Sequence, residues 1–125
     1  MRNWITHPWV EPTLQDVFLY HCQPYGCIGP LREQILPSIV VDVTDKIDVK
    51  EEMLRRHASQ KEWLDVSQGT DAYLVSMREG CEIMGQMAPK PVKYGEGFRQ
   101  HLHVGHSAKD EDRLATVLGD RVQQL

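Results

Sequence analysis

The sequence lacks the features that mark secreted, membrane-spanning or nucleic-acid-binding proteins. Its 125 residues include only three cysteines, and this small, odd number argues against a disulfide scaffold and favours a reducing cytoplasm. No apolar stretch approaches the roughly 18 residues of a membrane span, and residues 1–8 contain no hydrophobic signal-peptide core. Because 14 Lys and Arg stand against 18 Asp and Glu, the net charge of -4 argues against a broad basic face for nucleic acid. We therefore expect a cytoplasmic protein whose partners include neither a membrane nor a nucleic acid.

Three common catalytic or phosphate-binding motifs are also missing. There is no Gly-x-Ser-x-Gly nucleophile elbow, no Gly-x-x-x-x-Gly-Lys phosphate loop and no Gly-x-Gly-x-x-Gly fingerprint. By composition and spacing alone, no complete active site is present. What is present is the composition of one globular domain, since 41% of the residues are hydrophobic and 26% are charged.

Two segments have the pattern of β-strands. Residues 17–22 are aromatic and nearly all apolar, which predicts a strand buried on both faces. Residues 38–43 are β-branched and begin just after Pro37, where a strand can start without losing a ladder hydrogen bond. Because two strands make a thin sheet, the pattern indicates that the chain needs a partner or more chain.

Two helices are predicted after these strands. The first has Thr44 or Asp45 as its N-cap, runs to about residue 64, and is expected to turn inward Met53, His57, Gln60 and Leu64, beside Leu54 and Ala58. The second begins at residue 70 or 71, ends before Pro89, and carries on one face Tyr73, Met77, Cys81, Met84 and Met87. A Gly-rich segment over residues 94–105 and one helical turn near residues 112–118 complete an α/β layer structure.

Histidines and cysteines provide the first candidate site. His101, His103 and His106 fall within six residues, and in an extended segment the first two would point the same way, as two zinc ligands do. Only one cysteine pair, Cys22 and Cys27, accompanies them, whereas zinc-binding cysteines usually come as a closely spaced pair repeated twice. We therefore favour the interpretation that these histidines are polar residues on a loop and that Cys22 lies in the core. A structural zinc site is the alternative.

Two further clusters combine polar side chains with unusual positions. His57 and Gln60 are predicted on an inward helix edge, where each needs a hydrogen-bond partner. They are either core residues that have such partners, or a polar patch that orients groups in a site beside the sheet. Glu96 lies between two glycines that allow close backbone approach, so Glu96 and Arg99 either present a carboxylate and a guanidinium to a cleft or form a surface ion pair.

Several segments, in order, resemble the later part of a known enzyme family. Residues 40–45 read Val-Val-Asp-Val-Thr-Asp, Lys50 follows, and residues 54–60 read Leu-Arg-Arg-His-Ala-Ser-Gln. Together they resemble the LmbE/PIG-L family of zinc-dependent N-deacetylases, which act on N-acetylglucosamine-type groups. Residues 18–26, 61–69 and 94–103 are similar to one bacterial subgroup of that family, so the resemblance covers about residues 8–103.

The resemblance implies a single partial domain over residues 1–125: the C-terminal half of a Rossmann-like sheet, with about two strands followed by two helices. The family's early Ala-His-Pro-Asp-Asp-Glu-like metal motif has no counterpart, because Trp9 and Val10 follow His7-Pro8, and the His-x-x-His spacing at His103 comes too late in the chain. We therefore carry over no metal ligand and no catalytic residue. Zinc belongs to the intact family, and this chain alone is expected to hold no cofactor.

The implied activity is hydrolysis of the amide of an N-acetyl sugar derivative in an intact relative, with this chain inactive alone, and whether the chain itself is an enzyme stays open. The positions expected to support the zinc site or line the substrate rim of such a relative are His57, Ser59, Gln60, Glu96, Arg99 and His101. The expected partners are the missing N-terminal half or a second copy of the chain. The alternative is a small self-associating assembly domain with no catalytic activity.

Overall fold

A four-stranded antiparallel sheet is the centre of the computed structural model, which describes residues 16–57, 66, 71–102 and 109–125. The strands are β1 (Tyr20–Cys22), β2 (Ile39–Asp42), β3 (Gly95–Gln100) and β4 (Val122–Gln124). Their order is β1-β3-β2-β4, and each of the three pairings is antiparallel. The predicted α/β class is confirmed, and the Rossmann-like part of that prediction stays a prediction.

Three α-helices accompany the sheet in the described residues: α1 (Ile47–Arg55), α2 (Ala72–Met87) and α3 (Arg113–Leu118). α2 packs on β3 and β2, and α1 packs on α2. Ile47 at the start of α1, Cys81 on α2 and Tyr94 before β3 form a buried apolar cluster, with Val43 and Met77 against it. Within the described residues, no helix has the length and apolar character needed to cross a membrane.

The strand predictions had different outcomes. β2 lies within the predicted segment, and Val40 at its centre is fully buried. β1 is shorter than predicted, and His21 and Cys22 are exposed, so the prediction of a strand buried on both faces is wrong. The physical reason is position, because among the described strands β1 lies at the edge of the sheet, beside β3.

The inward face predicted for the first helix is also wrong where the structure describes it. α1 follows a 3-10 turn at Thr44–Lys46 and ends at Arg55; Met53 is 64% exposed, and His57 beyond the helix is exposed. Ile47 is buried instead, because α1 meets α2 and Tyr94 through its first turn. The predicted inward residues Ala58, Gln60 and Leu64 lie outside the described residues.

The second predicted helix is confirmed as α2, from Ala72 to Met87, two residues before Pro89. Its predicted face is turned inward, since Cys81 and Met84 are buried and Tyr73, Met77 and Met87 are half-buried. The predicted helical turn near residues 112–118 is α3. β3 and β4 were not predicted, because Gly95 and Gly97 lower the strand propensity of β3 and β4 is short and polar.

Two glycines let α2 lie directly on the sheet. A Cβ atom on Gly95 of β3 would lie 2.9 Å from the backbone nitrogen of Gly85 in α2 and 2.8 Å from Cγ1 of Val40. A Cβ atom on Gly85 would clash with the carbonyl oxygen of Val92. Both positions therefore need the absence of a side chain, and the close approach places α2 beside the residues of β3 that carry functional groups.

Candidate functional site

A groove of about 600 Å³ lies beside α2 in the described residues. We call it the α2 groove; its walls include Met77, Met84 and Met87 of α2, Gly95, Glu96, Gly97 and Phe98 of β3, and Gln23, Pro24, Tyr25, Gly26 and Cys27 of the loop after β1. Apolar walls with a few polar groups are typical of small-molecule or peptide sites.

A lysine, a glutamate and a cysteine from three elements meet in the wall of this groove. Lys50 Nζ of α1 lies 2.5 Å from Glu96 Oε1 of β3 and 3.4 Å from Cys81 Sγ of α2. Burial lowers the pKa of Lys50, but the hydrogen bond and the charge of Glu96 outweigh it and leave that pKa raised. Lys50 is therefore a fixed cation at neutral pH rather than a general base, and it orients the Glu96 carboxylate.

Gln23 contributes an unusual polar group to the same groove. Both the nitrogen and the oxygen of its side-chain amide are buried without a hydrogen-bond partner. Its side chain lies against Gly97, where an added Cβ would be 2.8 Å from Gln23 Cγ. Because an unpaired buried amide costs about 1–3 kcal/mol, this side chain is available to donate to and accept from a bound group.

The predicted site residues that the structure describes do not all lie together. Glu96 lines the α2 groove, whereas Arg99 is exposed and absent from its lining. His101 follows the end of β3, about 16 Å along an extended chain from Glu96, and its Nδ1 lies 2.6 Å from His21 Nε2. His57 is exposed after the end of α1, and Ser59 and Gln60 lie outside the described residues.

Four side chains that tertiary contacts bring into candidate sites were not predicted from the sequence as site residues. Gln23, Lys50 and Cys81 line the α2 groove, and His21 lies beside His101. Lys50 had a signal, because it is part of the segment that resembles the deacetylase family. His21 also lies in a segment that resembles the family, but its contact with His101 left no local pattern, because the two residues are 80 positions apart.

Among the described residues, no group of three or more His, Cys, Asp or Glu side chains is arranged to hold a metal ion. Cys22 is exposed rather than in the core, which corrects the expectation for that residue, and all three cysteines are free. His103 and His106 lie outside the described residues, so the alternative of a zinc site that includes them stays a prediction.

Comparisons with known proteins add no relative. No protein-family model, no curated protein and no solved structure matches this chain.

Proposed function

We propose that this chain is the C-terminal part of an LmbE/PIG-L-like, zinc-dependent N-deacetylase, inactive alone, that completes the site for an N-acetyl sugar derivative. The Lys50–Glu96 ion pair is the observation that carries the proposal. These two residues belong to two separate segments that resemble the family, 46 positions apart, and their charged atoms lie 2.5 Å from each other. Residues that serve one site in a family are expected to meet in this way.

The arrangement of the strands supports the same proposal. The segments that resemble the family include β1, β2 and β3, and β3 pairs with both of the other two strands in the sheet. In the proposed intact enzyme, this antiparallel sheet adjoins a Rossmann-like sheet contributed by the N-terminal half. The enzyme is expected in the cytoplasm, with neither nucleic acid nor membrane as a partner.

The roles of the N-terminal half and of this chain in the proposed enzyme follow from the groups that the described residues provide. Zinc ligands and the general base are assigned to the N-terminal half, so no step of hydrolysis is assigned to this chain. Glu96, held by Lys50, has a fixed carboxylate that can accept hydrogen bonds from sugar hydroxyls. Arg99 and His101 lie further along β3 and its continuation, and they are proposed to contact more distant parts of the substrate.

The test is a graft of residues 8–125 in place of the C-terminal part of an intact family enzyme. We expect the graft to retain zinc and to release acetate from an N-acetylglucosamine derivative. The isolated chain, washed with chelator, is expected to show no turnover. Glu96→Gln in the graft should raise KM or lower kcat. Glu52→Gln should leave both unchanged, because Glu52 is an exposed residue of α1 that pairs with Arg56.

Two outcomes would overturn the proposal. A graft that folds and retains zinc, as shown by circular dichroism and elemental analysis, but has no activity would separate this chain from the family. Turnover by the isolated chain would show that it has its own catalytic site.

Self-association in a non-catalytic assembly is the second candidate, and one surface favours it. The loop after β1 exposes three large apolar side chains: Tyr25 is 90% exposed, Leu31 87% and Ile28 56%. Such residues are enriched where proteins meet. A dimer in sedimentation equilibrium that Leu31→Asp dissociates, together with an inactive graft, would favour this function over the deacetylase.

A further inference from the structure

Two histidines from distant parts of the chain meet at the edge of the sheet. His21 lies on β1 opposite Arg99 of β3, and His101 is two residues beyond Arg99. Residues two positions apart on a strand face the same side, so His21 and His101 are diagonal neighbours. His21 Nε2 lies 2.6 Å from His101 Nδ1, and the ring centroids are 4.9 Å apart with 41° between the ring planes.

Converging nitrogens are what a transition-metal ion requires of two imidazole ligands. With a metal–nitrogen distance of about 2.0–2.1 Å, two ligating nitrogens lie about 2.8–3.4 Å apart, from right-angled to tetrahedral geometry. The present separation of 2.6 Å therefore needs an opening of about half an ångström, which small rotations of the two rings supply. His21 is exposed and His101 is half-buried, so an ion in water has access to the pair.

We propose that His21 and His101 form a two-histidine site for a borderline divalent transition-metal ion of the Ni²⁺ or Zn²⁺ class. Binding breaks the hydrogen bond between the rings and forms two metal–nitrogen bonds, and in a neutral pair the donor ring first moves its bridging proton, through water, to its other ring nitrogen. Each bond uses the lone pair of a neutral imidazole whose proton is on its other ring nitrogen. A pair that carries one extra shared proton releases that proton to water, and water fills the remaining coordination positions.

The described residues provide two ligands for the ion, one from each histidine. In the part of the chain that the structure describes, no third His, Cys, Asp or Glu completes a cluster with this pair. Two protein ligands leave the ion accessible to an external ligand, in contrast to a closed four-ligand structural site. The proposal does not depend on the deacetylase function, because His21 and His101 were not carried over as ligands of the family's zinc.

Calorimetric titration of the full chain with Ni²⁺ tests the proposal. Ni²⁺ is the better probe because thiolates favour Zn²⁺ and Cu⁺, and the chain has three free cysteines. We expect His21→Gln and His101→Gln each to weaken binding by about tenfold or more, because loss of a metal ligand costs at least as much as loss of its supporting hydrogen bond. His57→Gln is the matched control, since His57 is an exposed histidine outside the pair.

Nuclear magnetic resonance gives a second readout on the unsubstituted chain. Paramagnetic Ni²⁺ at sub-stoichiometric concentration should broaden the ring signals of His21 and His101 before those of His57. Ni²⁺ binding that His21→Gln leaves unchanged would overturn the proposal. Uniform broadening of all histidines, or no binding by the unsubstituted chain, would overturn it as well.

Discussion

The phenolic hydroxyl of Tyr20 donates a hydrogen bond of 2.9 Å to Asp112 Oδ1 and thereby joins β1 to the start of α3. The same oxygen accepts hydrogen bonds from the backbone N–H groups of Arg113 and Leu114, at 2.8 and 3.2 Å. Asp112 is the N-cap of α3 and accepts a hydrogen bond from the N–H of Ala115. A side chain 92 positions away therefore satisfies first-turn donors that a helix cannot satisfy itself.

Replacing that hydroxyl should loosen the C-terminal segment. Tyr20→Phe leaves two N–H groups without this acceptor, and we expect the free energy of unfolding to fall by about 1 kcal/mol in urea denaturation. Tyr25→Phe is the control, because Tyr25 is almost fully exposed and should change little. Burial, followed by the nearby Asp112, raises the pKa of Tyr20 despite its backbone hydrogen bonds. Its contribution to stability is therefore present below the ordinary pKa of 10.0 and is lost as the pH rises above it.

Substitution of glycines in α2 should have opposite effects at two positions. Gly85→Ala forces a clash with the backbone at Val92 and should destabilise the chain by about 1–3 kcal/mol. Gly80→Ala meets no atom within 4 Å, and we expect it to stabilise the same helix by about 0.5–1 kcal/mol through helix propensity. Thermal unfolding followed by circular dichroism measures both changes. Equal effects of the two substitutions would contradict the close packing of α2 on β3.

The Lys50–Glu96 ion pair should show energetic coupling in a double-mutant cycle with Lys50→Met and Glu96→Gln. About a third of each side chain is exposed, so we expect a coupling energy of only about 0.5–1 kcal/mol. The Glu52–Arg56 pair of α1 is the control. Because this pair is more exposed, we expect a coupling energy of about 0.3–0.5 kcal/mol for it. Urea denaturation of the single and double variants gives both energies. A coupling no larger than that of the control would show that the contact in the groove is not specifically stabilising.

Acid should weaken a contact near the start of α1. Arg121 donates to both carboxylate oxygens of Asp45, and with Lys46 it holds the pKa of Asp45 well below its ordinary value of 3.8. A lowered pKa in the folded state stabilises the chain above the ordinary value, and this contribution is lost as the pH falls below about 4. Asp45→Asn should therefore destabilise the chain at pH 7, and this destabilisation should become progressively smaller as the pH falls from 4 to 2.

The control for this substitution is Asp120→Asn, which changes a neighbouring exposed carboxylate in the turn that contains Arg121. Because both partners of the Asp45–Arg121 pair are about half exposed, added salt should also reduce the effect of Asp45→Asn at pH 7. A destabilisation that is the same at pH 7 and pH 2 would contradict a role for the charge of Asp45.

Local pattern was enough to predict β2 and α2. β-branched residues after Pro37 indicate β2, and the periodicity ending at Pro89 indicates α2, including its buried Cys81 and Met84. Of the four proposed site positions that the structure describes, Glu96 lies in the α2 groove, whereas His57, Arg99 and His101 do not line it. Gln23 and Cys81 were missed as site residues because burial and contact between distant segments determine their environment.

The sequence by itself determined the α/β class, the buried strand β2 and the helix α2, through its hydrophobic pattern and the prolines that end the helix. Each of these features depends on residues that are close together along the chain. Only the tertiary structure decided that Gly-rich β3 is a central strand, because its pairing with β1 and β2 offsets its low propensity. It also decided that Lys50 meets Glu96 and that His21 meets His101. Both are pairings across tens of residues, for which the chain contains no local signal.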